Sequence, residues 1–67
     1  MKIILNNNEE TFDRDKMTIS ELLELSNFSY KLLIVKVNGK LIKKDAYKDT
    51  IVKDGDDVTV LHLVTGG

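Results

Sequence analysis

The amino-acid sequence predicts a small α+β domain in which one main helix packs on one face of a mixed sheet of four to five strands. Short runs of alternating apolar and polar residues recur along the chain, and such alternation is typical of strands. One helix start follows the first runs, and an Asn-Gly pair in the middle predicts a hairpin. The chain has 67 residues and is 42% hydrophobic, so we expect one folded domain over residues 1–67.

The first predicted elements are a strand over residues 1–6 and a weaker strand over residues 9–13. Three consecutive asparagines at positions 6–8 predict the turn between them, because asparagine tolerates left-handed backbone. Phe12 is the expected core residue of the second strand, and Ile4 lies on the outer face of the first. The expected core face of the first strand contains Met1, Ile3 and Leu5.

The main helix is predicted over residues 19–26. Thr18 is a favourable N-cap, and Glu21 stands three residues later, which is the pattern of a capping box. Asn27 is expected to end the helix in a left-handed conformation. The apolar face of the helix would contain Ile19, Leu22 and Leu23.

The second half of the chain predicts three more strands. Residues 32–38 form an apolar run, and Asn38-Gly39 predicts a tight hairpin because both turn positions need positive φ. The return strand at 40–42 would be short and lie at a sheet edge. Residues 43–49 are polar and fit a helical turn or loop. The turn at 54–57 then leads into the last strand.

This order of elements predicts the β-grasp, or ubiquitin-like, architecture. A hairpin, a helix laid across it and further strands together indicate a helix on one face of a mixed sheet. The other face of the sheet is then left open, where it is free to contact a partner.

Composition excludes several classes of function. The sequence has no Cys, which excludes disulfides, thiolate zinc sites and a cysteine nucleophile, and it has a single His. The net charge of −1 predicts no nucleic-acid partner, and no apolar run approaches the roughly 18 residues of a membrane span. We therefore expect a cytoplasmic protein. The lysine-rich stretch over residues 31–53 either orients a partner or only keeps the protein soluble.

The last two residues, Gly66 and Gly67, are the strongest candidates for chemistry. Glycine has no Cβ, so an extended Gly-Gly segment can thread a narrow channel and approach another backbone closely. The carboxylate of Gly67 would then be presented to an activating enzyme, with Thr65 as part of a flexible tail over residues 65–67. The alternative is a frayed tail without function.

The second candidate feature is an apolar patch on the open face of the sheet. If Val58 and Val60 point to the core, their neighbours on the last strand point outward. Exposed apolar patches of this kind mark protein–protein contacts. The alternative is a register shift after Val60 that buries part of the set. The candidate partner contacts are Ile4, Ile34, Leu61 and Leu63.

The sequence resembles the ThiS family, the sulfur carriers of thiamine biosynthesis, over nearly its whole length. The Gly-Asp-x-Val turn combined with a final Gly-Gly carries most of the specificity. The family often has Ala or Gly where this chain has Thr65, which leaves the glycine pair intact. The matching segments are Met1-Lys2-Ile3, the helix start at 18–23, Val37-Asn38-Gly39, Asp54-Gly55-Asp56 with Val58, and His62 to Gly67.

The resemblance implies a carrier that is a substrate of other enzymes and is not itself an enzyme. A ThiF-type adenylyltransferase would use ATP to activate the carboxylate of Gly67, so this chain would bind no permanent cofactor. A sulfur donor such as a cysteine desulfurase would then supply the sulfur of a thiocarboxylate, and a ThiG-type thiazole synthase would accept it. Gly66 and Thr65 would form the threaded tail.

Three other functions remain open from the sequence. One is the small subunit of molybdopterin synthase, which carries sulfur on a related fold. Another is a ubiquitin-like modifier that forms isopeptide bonds through Gly67. The third is an interaction domain whose tail has no chemistry. A catalytic function of the chain alone is the weakest alternative, because no nucleophile–base pair or metal-ligand set is visible in the sequence.

Overall fold

The computed structural model describes residues 1–28 and 33–62. Strands β1 (Lys2–Leu5) and β2 (Asn8–Thr11) come first, then β3 (Lys16–Thr18) and helix α1 (Ile19–Leu25). The second half contains β4 (Leu33–Val37), β5 (Lys40–Ile42), a 3-10 helix (Lys44–Ala46), β6 (Ile51–Lys53) and β7 (Asp57–His62). No helix in the described ranges is both long and apolar enough to cross a membrane.

Within the described ranges, five strands form one mixed sheet in the order β2-β1-β7-β4-β5. The last strand, β7, is central: it runs parallel to β1 and antiparallel to β4. The first two strands form one antiparallel hairpin and β4 and β5 form another, with β5 at the edge. This arrangement confirms the predicted β-grasp fold.

The start of α1 has the predicted capping box. The backbone N–H of Glu21 donates to the Thr18 hydroxyl at 3.1 Å, and the backbone N–H of Thr18 donates to the Glu21 carboxylate at 2.9 Å. Two N–H groups that the helix itself cannot pair are thereby satisfied. The helix ends at Leu25, one residue before the predicted end, and Asn27 has the expected positive φ of 60°.

One buried cluster joins the helix to the sheet, so α1 covers one face and leaves the other open. The alternation of β7 has the predicted register, because Val58 and Val60 are buried while Leu61 is exposed. Burial of this apolar surface is the main favourable contribution to folding. The cluster consists of Ile3, Leu5, Met17, Ile19, Leu22, Leu23, Val35, Tyr47, Val52, Val58 and Val60.

A second, two-stranded sheet was not predicted. In it, β3 pairs antiparallel with β6, and Met17 lies opposite Val52. Each strand has three residues with only one buried, which is too short for an alternation to be recognised. The burial of Tyr47 was likewise not predicted, because it lies in a polar segment. The second predicted strand is displaced, since β2 ends at Thr11 and Phe12 packs against the core beyond it.

Two hairpin turns use left-handed residues. The predicted Asn38-Gly39 turn has φ values of 52° and 83°, and the turn between β1 and β2 has φ values of 50° at Asn6 and 68° at Asn7. Two consecutive positive φ values are the signature of the type I′ turn, which matches the twist of the flanking strands.

Asp56 joins the Asn38-Gly39 hairpin to the turn before β7, and its replacement by alanine should destabilise the fold. Its carboxylate accepts from the Asn38 side chain at 3.1 Å and from the Lys53 backbone N–H at 3.0 Å. Asp56 is 8% exposed, so these groups would lose bonds to a buried carboxylate. We expect Asp56→Ala to lower the free energy of unfolding by about 2–3 kcal/mol in urea denaturation.

Asp54→Ala is the matched control for this measurement. The Asp54 carboxylate accepts a single described bond, from the Lys2 backbone N–H at 2.7 Å, and the residue is exposed. Water can replace such a bond, so a smaller loss is expected. Equal losses for both variants would contradict the proposed role of Asp56.

Candidate functional site

The central strand β7 leads toward the glycine pair. Its last pairing in the described ranges joins His62 to Leu33 of β4. The predicted tail lies outside the described residues, and its assignment to chemistry stays a prediction. The tail residues concerned are Thr65, Gly66 and Gly67, and Leu63, a predicted partner contact, also lies outside the described residues.

Two of the predicted partner contacts lie side by side on the open face. Ile34 of β4 is the direct antiparallel partner of Leu61 of β7, and paired residues project from the same face of a sheet. Leu61 is 49% exposed and Ile34 is half-buried. The two side chains therefore form the centre of an apolar patch, and Leu61 is one residue before His62, the last described residue of β7. Their role as partner contacts stays a prediction.

The third predicted contact, Ile4, is on the open face but apart from this centre. It is half-buried and pairs with Asp57, at the opposite end of β7 from Leu61. Four residues of strand span about 13 Å, so Ile4 does not touch the centre of the patch. On its other side Ile4 pairs with exposed Glu9. The predicted set is thus divided, with polar neighbours around Ile4.

Leu41 joins the patch, although the sequence analysis did not include it. It lies on β5 opposite Lys36 of β4, on the same face as Ile34, and is 57% exposed. Ile34 is two positions from Lys36 and is therefore a diagonal neighbour of Leu41, within reach of its side chain. The signal was present in the predicted hairpin, because the Asn38-Gly39 turn sets the register and hence the face of Leu41. We define the open-face patch as Ile34, Leu41 and Leu61.

A lysine gives the open-face patch a positive charge. Exposed Lys36 lies between Leu41 and Thr59 in the sheet register and forms no ion pair within the described ranges. Lys2, farther along this face, is paired with Glu9 at 3.8 Å. A partner surface that is apolar with an acidic group near its edge would complement this arrangement.

The described residues offer little for catalysis. They contain no group of three or more His, Cys, Asp or Glu side chains that could hold a metal ion. Shallow grooves of 280 and 460 Å³ lie beside the 3-10 helix and between β5 and β6, away from the open-face patch. His62 is exposed at the end of β7.

Among the described residues, two groups have a shifted pKa; both lie outside the open-face patch, and each shift has a structural cause. The pKa of Glu21 is lowered because the backbone N–H of Thr18 donates a hydrogen bond to the Glu21 carboxylate. Burial raises the pKa of Tyr47. Within the described residues, neither shifted group therefore adds a charged or titrating site to the open-face patch.

Comparison with known proteins agrees with this description. The sequence profile described as the ThiS family matches residues 2–67. The sulfur carrier protein ThiS of Bacillus subtilis (strain 168) is 32% identical over 63 residues, which cover 94% of this chain and 96% of that protein.

Two solved structures from Geobacter metallireducens are similar to this chain, each at 30% identity. One is the crystal structure of the thiamine biosynthesis protein ThiS, with a TM-score of 0.89 and full coverage of both chains. The other is a solution structure of a thiamine biosynthesis protein, with a TM-score of 0.82, covering 100% of this chain and 88% of that one.

Proposed function

Since this chain belongs to the ThiS family, we propose that it carries sulfur for thiamine biosynthesis as a thiocarboxylate on Gly67. The single observation that carries this proposal is the family match over residues 2–67, which includes Thr65, Gly66 and Gly67. The fold also supports it, because β7 is the central strand of the five-stranded sheet and those residues follow it closely in sequence. In this proposal the chain is a substrate of its partner enzymes and has no catalytic role.

The chemistry begins with activation of a poor leaving group. A carboxylate oxygen of Gly67 attacks the α-phosphorus of ATP on a ThiF-type adenylyltransferase, which releases pyrophosphate and forms an acyl-adenylate. A persulfide from a sulfur donor such as a cysteine desulfurase then attacks the carbonyl carbon, and AMP leaves. A thiol then attacks the donor's sulfur in the resulting acyl disulfide and forms a disulfide with it, and the thiocarboxylate remains on Gly67 as the leaving group. ATP is thus a ligand of the partner enzyme.

The sulfur is then transferred to a thiazole synthase of the ThiG type. Both partners must hold the tail while they recognise a surface that does not react. The open-face patch is suited to this recognition, because it is exposed and Leu61 lies only six residues from Gly67 in sequence. Apolar contacts there would orient the carrier before the tail reaches the reactive centre. The cytoplasmic location stays a prediction.

Intact-mass analysis tests the proposal. The full chain is incubated with ATP, a persulfide donor and the cognate adenylyltransferase, and fragmentation then locates any added sulfur. We expect replacement of one oxygen by sulfur on Gly67. A variant lacking Gly66 and Gly67 is the control and should gain no sulfur. A wild-type chain without sulfur, or a deletion variant that still gains it, would contradict the proposal.

A further inference from the structure

The side chain of Asn6 continues the pairing of β7 beyond the end of β1. Residue pairing between the two strands covers only Ile4 and Leu5, which lie opposite Asp57 and Val58. The Asn6 side chain then bonds both main-chain groups of Val60. The Val60 N–H donates to Asn6 Oδ1 at 2.7 Å, and Asn6 Nδ2 donates to the Val60 carbonyl at 3.1 Å. The amide therefore takes the place of the next residue of a strand.

From this geometry we propose that Asn6 is a positioning residue that fixes the end of β7 and thereby the presentation of the tail to the activating enzyme. The proposal rests on the function proposed above. On its other side, β7 is paired with β4 as far as His62. Without the Asn6 side chain, hydrogen bonding on the β1 side would stop at Val58, whose carbonyl still accepts from the Asn6 backbone N–H at 2.9 Å.

The hydrogen bonds between Asn6 and Val60 lie in a buried part of β7, where they keep the strand ordered. Val60 is 3% exposed with the Asn6 side chain in place, and removal of that side chain takes away the partner of both its main-chain N–H and its carbonyl. Buried main-chain groups without partners favour local opening of the strand. Opening at Val60 would loosen the part of β7 that immediately precedes the tail, while the pairing of Asp57 and Val58 with β1 remains.

Asparagine meets two requirements at this position. Its φ is 50°, a left-handed conformation that asparagine tolerates, and its amide supplies one donor and one acceptor. The adjacent Asn7 has φ of 68° but is exposed, so it meets only the backbone requirement. Glycine at either position keeps the turn, and only at position 6 does it remove the bonds to Val60. Asn6→Gly and Asn7→Gly are therefore a matched pair of variants.

The proposal is tested by steady-state kinetics of adenylation. The rate is measured from the release of pyrophosphate, with the full chain as the variable substrate. We expect Asn6→Gly to lower kcat on the order of fivefold, the fold-change that about one net hydrogen bond represents. KM for the carrier should change less than about twofold, because the open-face patch is intact. A purely structural defect would instead reduce the folded fraction, which raises the apparent KM and leaves kcat unchanged. Asn7→Gly should match the wild type in both.

Hydrogen exchange provides a readout that needs no enzyme. We expect the Val60 amide to lose protection on the order of tenfold in Asn6→Gly, while the Val35 amide in the core keeps its protection. Wild-type kcat in Asn6→Gly, or an equal loss in Asn7→Gly, would overturn the proposal. If the wild-type chain itself is not adenylated, the proposed function fails. The wild-type reaction therefore separates a failure of the proposed function from a failure of the role of Asn6.

Discussion

Replacing Val60 by aspartate should remove a large part of the stability of the fold at neutral pH. Val60 is 3% exposed and pairs with Val35, which is completely buried. An unpaired carboxylate in such a position costs about 3–5 kcal/mol. A domain of this size has a total stability of roughly 3–10 kcal/mol. Thermal unfolding followed by circular dichroism should therefore show a large decrease in Tm.

The pH dependence separates charge burial from a simple loss of packing. Burial raises the pKa of the introduced carboxyl above its unfolded value, so the folded state binds its proton more readily. The variant should therefore regain stability as the pH falls from about 7 to about 4.5. Val60→Ala creates a cavity without a charge, so its stability should depend on pH in the same way as that of the wild type. A Val60→Asp variant as stable as the wild type would contradict the register of β7.

Replacing the next residue, Leu61, by aspartate should leave the fold intact and weaken partner binding. Leu61 lies at the centre of the open-face patch and is 49% exposed, so a carboxylate there stays in water. On binding it would be placed in an apolar contact, and we expect the Kd for the adenylyltransferase to rise roughly 30-fold, as for a central contact residue. Isothermal titration calorimetry measures this change.

Leu25→Asp is the matched control for Leu61→Asp. Leu25 is 51% exposed, and it belongs to α1, which packs on the opposite face of the sheet. It therefore introduces the same charge at a similar exposure, far from the open-face patch. We expect unchanged binding. Equal loss of affinity in both variants would indicate an effect of net charge, and unfolding of Leu61→Asp would show that Leu61 belongs to the core.

These two neighbouring residues illustrate how far the sequence could predict the site. Alternation along an apolar strand has two possible registers, and Val58-Thr59-Val60-Leu61 has apolar residues on both faces near its end. The pairing of Val60 with Val35 and of Leu61 with Ile34 selects one register, because only that register places Val60 and Val35 in the core under α1. The choice depends on strands that are distant in sequence.

The same limit applies to the short strands and to Asn6. The pairing of β3 with β6 joins segments more than 30 residues apart, and neither has an alternation of its own. The Asn6-Asn7-Asn8 run predicts a turn, and the structure has one. Its second role could not be predicted, because the bonds of Asn6 to Val60 span 54 residues of sequence.

The features that arise from neighbouring residues could be predicted from the sequence alone. These are the Thr18–Glu21 capping box, the left-handed Asn38-Gly39 turn and the order of elements that predicts the β-grasp fold. Each depends on backbone preferences within a few positions. The burial of one face of the sheet and the support of the end of β7 by Asn6 became visible in the tertiary structure alone. Those results depend on the register between distant strands, which local preferences do not specify.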